Sequence, residues 1–276
     1  MSETGPVSKM PESTRLQILS DLHIERCFPT VPRFEDFEYV GSDTCVLAGD
    51  VGRTSNWLQY VAFIARVCDR FKRVILIAGN HEYYSSILDV EYIKKELMRL
   101  TTMFPNLVFL DDSYIELHDC VVFGTTLWTQ LPHGFDLSKY HYPIVVENSV
   151  GDRHPITSED WNYMHATSLR ALPETMTYAM EKNKPLIVIS HFSPVFEESL
   201  RVDYVCTTDA AIAKKNHLYC NRLYHMLKKE NVHTWVYGHT GQNADYVSPR
   251  GTRVVSRQLD LDTKHGKQEP VIVTPS

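Results

Sequence analysis

The sequence has little that would mark it for a membrane, a secretory route or a nucleic-acid surface. No apolar run reaches the roughly 20 residues that a membrane-spanning helix needs. The opening stretch, MSETGPVSKMPEST, is polar and lacks the apolar core of a signal peptide, so residues 1–13 are expected to form a disordered lead-in. Positive charge is not in excess. The formal net charge is -6, which argues against nucleic acid or a lipid surface as the main partner. Cysteines stand at 27, 45, 68, 120, 206 and 220, with no CxxC pair among them. Several lie inside apolar runs, so buried free thiols are expected rather than disulfides or a zinc site, and the cytoplasm is the expected location. Repeats and low-complexity tracts are absent. What remains is a chain of 276 residues, 43% hydrophobic and 22% charged, the composition of an ordinary soluble globular protein.

The pattern that organises the chain is a recurring strand exit. In Arg73–Glu82, RVILIAGNHE, an apolar run reads as a buried strand, a glycine allows a sharp turn, and Asn80, His81 and Glu82 follow. In open α/β sheets, ligands bind outside the carboxyl ends of the strands, so such an exit is where chemistry sits. The same arrangement recurs. Arg15–Leu19 leads into Ser20, Asp21, Leu22 and His23; Thr44–Ala48 into Gly49 and Asp50. Pro185–Ser190 ends at His191, and His233–Tyr237 at Gly238 and His239. One polar strand exit is commonplace. Five that deliver Asp, Asn and His, hard oxygen and nitrogen donors, point together to a divalent metal.

Between the exits, helices are expected over residues 56–71, 87–104, 159–182 and 209–230 from one-sided apolar spacing. Strand and helix alternate over the first hundred residues, which implies parallel pairing. Residues 107–124 carry three closely spaced strands, and residues 252–256 read as a hairpin partner. An irregular insert is expected over about 130–158, rich in Pro, Gly, aromatics and His. The expected organisation is a single domain over 14–262, followed by a loosely held C-terminal tail over 263–276.

The order SDLHIE, AGDVG, AGNHE, SHFSP, YGHT resembles the calcineurin-like metallophosphoesterases, over roughly residues 14–256. The resemblance implies an α/β fold, a four-layer α-β-β-α sandwich of two mixed sheets flanked by helices, with two divalent metal ions at one edge. It implies that Asp21 and His23 hold the first metal, Asp50 bridges both, and Asn80, His191 and His239 hold the second. His81 is then the proton donor to the leaving oxygen or a phosphate ligand, and Asp50 and His81 are the residues nearest the chemistry. Two metals held ~3.5–4 Å apart clamp the attacking and leaving oxygens of a phosphoryl transfer. Thiolates are missing from every block, so Mn, Fe, Zn or Mg suit the donor set.

One block departs from the family. Where the last one usually reads Gly-His-x-His, this chain reads Gly238-His239-Thr240-Gly241. The first metal loses a ligand, so weak occupancy of that site is expected unless Asp245, Gln242, Asn243 or water fills the gap; the glycine also leaves room for a substrate group. Arg53, Arg153, Asn80, His81 and Gly241 are the candidate substrate contacts, the first as a fork of donors for phosphate.

The expected function is hydrolysis of a small phosphodiester or phosphomonoester. The competing expectation is a degenerate phosphate- or nucleotide-binding protein with little or no turnover. A serine/threonine protein phosphatase fits less well, because Gly-Asp-Val-Gly-Arg-Thr-Ser replaces that subgroup's GDxxDRG.

Overall fold

The computed structural model describes residues 13–32, 41–200, 208–259 and 271–275. The expected disordered lead-in therefore lies almost wholly outside the described residues.

Alternation along the strands decides the architecture. In β1 (Leu16–Leu19), β2 (Thr44–Ala48) and β3 (Arg73–Ile77), the side chains of Leu16, Ile18, Val46, Ala48, Ile75 and Ile77 join one apolar cluster. Their neighbours Leu19, Cys45, Leu47, Val74 and Leu76 join another. Successive side chains on a strand point to opposite faces, so strands apolar throughout are covered on both sides. With β4 (Leu107–Phe109) and β13 (Val271–Val273) they make a five-stranded sheet ordered β13-β1-β2-β3-β4, parallel except for β13.

The second sheet draws on later segments: β5 (Ser113–Glu116), β6 (Val121–Thr125), β9 (Leu186–Ser190), β10 (Thr234–Tyr237), β11 (Ala244–Val247) and β12 (Arg253–Ser256). Its order is β11-β12-β10-β9-β6-β5, with parallel strands inside and antiparallel strands at both edges. Val122, Ile187, Ile189, Val236 and Val255 face the first sheet and complete the cluster between the two.

Helices cover the outer faces. Helix α1 (Trp57–Arg70) buries Tyr60, Phe63, Ile64 and Val67, and α2 (Val90–Met103) buries Ile93, Leu97 and Leu100, all against Leu47, Val74 and Leu76 of the first sheet. Each such side chain contributes about 1.5–3 kcal/mol by leaving water. Helix α3 (Ser158–Glu181) begins at a capping box, Thr157 with Asp160, and packs Leu172 and Ala179 against Val121, Phe123 and Val188 of the second sheet. The fold is thus the four-layer α-β-β-α sandwich of two mixed sheets.

Three segments differ from expectation. The helix expected over 209–230 shortens to α4 (Ala210–Lys215) and one 3-10 turn at Asn216–Leu218. Beyond it the chain turns away to pair with the segment after β9: Asn221 N–H donates to Ser193 O at 2.9 Å and Leu223 N–H to Pro194 O at 2.9 Å. Tertiary bonds there override a helical pattern. The insert at 130–158 is packed, burying Leu131, Phe135, Leu137, Ile144 and Ile156, and holds a small hairpin, β7 (Val145–Glu147) with β8 (Arg153–Pro155). In the stretch expected as a loose tail, Val271–Val273 instead forms the edge strand beside β1. Cys45, Cys68, Cys120 and Cys220 are buried free thiols, while Cys206 lies outside the described residues. Among the described residues, no helix is long and apolar enough to cross a membrane.

Candidate metal centre

The parallel strands β1, β2 and β3 of one sheet and β9 and β10 of the other end at a common edge, and the five exits meet there. Asp21 N–H donates to Gly49 O and His23 N–H to Asp50 O, each at 3.1 Å, so the first two blocks are laced together. Side chains of the ligand candidates then tie down the next blocks. The Asp50 carboxylate accepts from His81 N–H at 2.8 Å, and the Asp21 carboxylate accepts from His239 N–H at 3.0 and 3.1 Å. A Cβ at Gly79 would collide with the Asp50 carboxylate, and one at Gly238 with Ser20 and Asp21, so both turns require glycine.

Asp21, His23, Asp50 and His239 all hold left-handed backbone, with φ of 56, 48, 52 and 69°. For residues with a Cβ that conformation costs roughly 1–2 kcal/mol each. Strain of this kind gathers where surrounding bonds over-determine a functional geometry. Glu82 supplies much of that determination. Its buried carboxylate accepts from the N–H groups of Gly79, Asp50, Val51 and Gly52 at 2.7, 3.0, 2.8 and 3.3 Å, and from the Tyr60 hydroxyl at 3.2 Å. One side chain thereby clamps the turns after β2 and β3 together. Burial, then the Asp50 charge, pushes its carboxyl up to about 7, against the pull of those amides.

The histidines are aimed by carbonyls. His191 Nδ1 lies 3.1 Å from Ala48 O, and His239 Nε2 lies 3.0 Å from Leu218 O. A carbonyl only accepts, so each of those nitrogens carries the proton and the other turns a lone pair to the centre. His191 Nε2 then sits 3.2 Å from Asp50 Oδ1 and 3.1 Å from Asn80 Oδ1. The Asn80 amide nitrogen is committed to the Tyr84 hydroxyl at 2.8 Å, which leaves its oxygen facing inward. Three lone-pair donors converge, a set that requires a cation among them. In the metal-free protein that cation is a proton. Burial pulls the His191 imidazole down, but the Asp50 charge and the bond to it outweigh this and lift it to about 9. Burial raises Asp50 too, yet the surrounding imidazoles, His191 first, hold it well below the usual carboxylate range. His239, by contrast, is driven down to about 3 by burial and by the charge on His191.

Ligand atoms of Asp50, His191 and His239 lie within 4.8 Å of one another, and so do those of Asp21, His23 and Asp50. Asp50 belongs to both groups. His23 Nε2 and His81 Nε2 stand 3.9 and 3.8 Å from its Oδ2. Arg53 lies at the rim, its guanidinium 5.6 Å over the Tyr84 ring, which in turn stacks on His81 with centroids 4.4 Å apart.

Other sequence candidates are engaged elsewhere. The Arg153 guanidinium pairs with Asp89 at 2.8 Å and Glu147 at 3.3 Å, on the β7–β8 hairpin. Gly241 is exposed, with φ of 70°, and nothing lies within 4 Å of the position of a Cβ. Asp245 pairs with Arg253 at 2.8 Å, Asn243 Oδ1 accepts from Gln258 N–H at 2.7 Å, and the Gln242 side chain donates to the Gly241 carbonyl at 3.4 Å. Sequence reasoning passed over Glu25, which lies against both His23 and His81. The available signal was its place two residues after His23 in SDLHIE.

A family model for calcineurin-like phosphoesterases matches residues 14–243. The chain belongs to the calcineurin-like phosphoesterases. A curated relative, an uncharacterized protein of Acanthamoeba polyphaga mimivirus, is 24% identical over 273 residues, covering 92% of this chain and 94% of that protein. Among solved structures, the phosphopantetheinyl hydrolase of Mycobacterium tuberculosis superposes with a TM-score of 0.62 at 16% identity, covering 94% of this chain and 96% of that one. The Thermus thermophilus protein TT1561 gives 0.53 at 13% identity, covering 91% of each chain. These two likenesses carry the fold. Calcineurin-like phosphoesterases bind divalent metals, and the clusters around Asp50 are suited to hold them, in donor chemistry and in the convergence of lone pairs.

Proposed function

We propose that this calcineurin-like phosphoesterase hydrolyses a small phosphodiester or phosphomonoester at a centre of two divalent metal ions. The observation that carries the reading is the membership of Asp50 in both ligand groups. Two cations held close together repel, and a shared buried carboxylate offsets that repulsion. Asp21 and His23 complete the first position; Asn80, His191 and His239 complete the second. Bound metals supply charge for the phosphate and a hydroxide near neutral pH, and Mn, Fe, Zn or Mg suit the oxygen and nitrogen donors.

The chain's own residues do the rest. His81 turns Nε2 toward Asp50 and stands where it can give a proton to the leaving oxygen. Arg53, with its side chain 45% exposed and Nε 3.9 Å from Glu25, can swing from the rim to a phosphate oxygen. Tyr84 fixes the Asn80 amide so that its oxygen points inward. Gly241 leaves the first position one ligand short of the family's usual set, so that metal is held more weakly. The open space beside Gly241 suits an organic substituent of the substrate. Buried free thiols accord with a reducing, cytoplasmic setting.

The second reading, a phosphate- or nucleotide-binding protein with little turnover, rests on the same glycine. A metal titration separates the two, with bis-p-nitrophenyl phosphate as the diester and p-nitrophenyl phosphate as the monoester. Metal-dependent release of nitrophenol from either supports the hydrolase; metal and phosphate binding with no release supports the binding protein.

A further inference from the structure

The geometry points to Glu25 as a positioning residue that sets two imidazoles at once, those of His23 and His81. The inference deepens the reading of the site given above and rests on it for the roles of those two histidines.

Glu25 enters the site from a 3-10 turn, Ile24–Cys27, that directly follows His23. The turn is pinned where Ile24 N–H donates to Val51 O at 2.9 Å. Gly52 makes room for it: a Cβ there would press into Ile24 and come 3.3 Å from Glu25 Oε2. The result is a sandwich with unequal contacts. Glu25 Oε1 lies 3.0 Å from His81 Nδ1 and 3.4 Å from His23 Nδ1. On the far side of both rings is Asp50 Oδ2, at 3.8 Å from His81 Nε2 and 3.9 Å from His23 Nε2. The ring centroids are 4.4 Å apart. Two imidazoles thus stand side by side between two carboxylates, Asp50 facing the metal centre and Glu25 behind.

A carboxylate only accepts, so the bond to His81 selects the form of that ring with hydrogen on Nδ1, and the Glu25 charge 3.4 Å from His23 Nδ1 favours the same form there. That leaves the His23 Nε2 lone pair directed at the centre, where a metal ligand needs it. For His81 the same bond holds whether or not Nε2 carries a proton, so that proton always points inward. Metal-ligating histidines commonly lean on a carboxylate in this way, and loss of such a partner typically costs 10–100-fold in metal affinity or activity. Here one carboxylate serves a ligand and its neighbour together. The contact to His81 is an aligned hydrogen bond. At His23 the oxygen is within ion-pair reach, but Nδ1 has no aligned partner, and Glu25 Oε2 is likewise buried without one.

The test reads ring tautomers in the metal-free protein. Long-range proton–nitrogen NMR spectra are recorded at mildly alkaline pH for the native protein, Glu25→Gln and Glu25→Ala, with backbone amide spectra confirming that each is folded. In the native protein His81 is expected to carry its proton on Nδ1. Glu25→Gln keeps an acceptor oxygen and should preserve that form, while Glu25→Ala should move the proton to Nε2 or mix the two. Calorimetric titration with Mn²⁺ should then show the tighter site unchanged and the weaker site falling roughly 10–100-fold in Glu25→Ala, with a smaller loss in Glu25→Gln.

A native His81 with its proton on Nε2, or a tautomer unmoved in Glu25→Ala, overturns the inference. So does loss of all binding at the weaker site in Glu25→Gln with tautomers intact, which would make Glu25 a direct ligand. The tautomer spectra need neither metal nor turnover, so a chain that hydrolyses no ester leaves them readable.

Discussion

His191 Nε2 lies 3.2 Å from Asp50 Oδ1, and the two side chains are 0% and 2% exposed. Asp50 leaves the first sheet after β2, and His191 leaves the second after β9, so this contact joins the two sheets at the site. Without metal it is a buried imidazolium–carboxylate bond. A metal held there would take the place of that proton, and both atoms could bind the same ion.

That exchange makes stability depend on pH in a defined direction. The folded pKa of His191 is raised from 6.5 to about 9, so its bond to Asp50 contributes fully below pH 6.5 and is lost as pH rises through about 9. His23 is raised as well and acts in the same sense. His239 works oppositely at the acid end: its folded pKa of about 3 subtracts stability as pH falls below 6.5. Metal-free protein should therefore melt at a lower temperature near pH 9 than near pH 6.5, and added Mn²⁺ should remove most of the decline. Melting curves across that range check it; a metal-free melting temperature that is flat or rises with pH would contradict it.

Glu82 should matter to the fold before it matters to chemistry. In Glu82→Ala, four buried amides lose their acceptor, a destabilisation on the order of 3 kcal/mol or more. Glu82→Gln turns an NH₂ group onto amide donors and should cost about 1–3 kcal/mol. Urea denaturation measures both. A loss under about 0.5 kcal/mol for Glu82→Ala, the size of an ordinary surface change, would remove Glu82 from the role of clamp.

Gly241→His is expected to fold. A Cβ there meets nothing within 4 Å, and the cost is the left-handed backbone, about 1–2 kcal/mol. If the glycine is why the first metal is weakly held, the variant should reach half-maximal activity at a lower metal concentration, with turnover on bis-p-nitrophenyl phosphate rising. Unchanged metal demand with lower turnover would instead assign the space to the substrate.

The sequence made the sheets and their exits readable because buried parallel strands write themselves as unbroken apolar runs, as in Thr44–Ala48 and Leu186–Ser190. The meeting of Asp21, Asp50, Asn80, His191 and His239 followed from five such runs ending alike. Segments governed by tertiary bonds were not readable. The helix expected to Glu230 stops at Lys215, because residues 219–223 bond across to Ser193 and Pro194. The packing of that segment also places the Leu218 carbonyl that aims His239. The pairing of Arg153 with Asp89 was not readable, because a guanidinium in a loop gives no sign of its partner. Glu25 was overlooked for the converse reason, since its partners arrive from His23 and His81 only in three dimensions.

The most direct test is the metal content of purified protein, beside Asp50→Asn and His191→Ala, by elemental analysis without chelator. A carboxylate shared between two ions serves both, and a terminal histidine serves one. At saturating metal the native protein should bind two equivalents. Asp50→Asn should weaken both sites and retain well under one equivalent, while His191→Ala should empty mainly the second and retain about one, the asymmetry of a two-metal clamp. Equal loss of a single metal in both variants, or native protein that binds no more than one equivalent, would contradict the account.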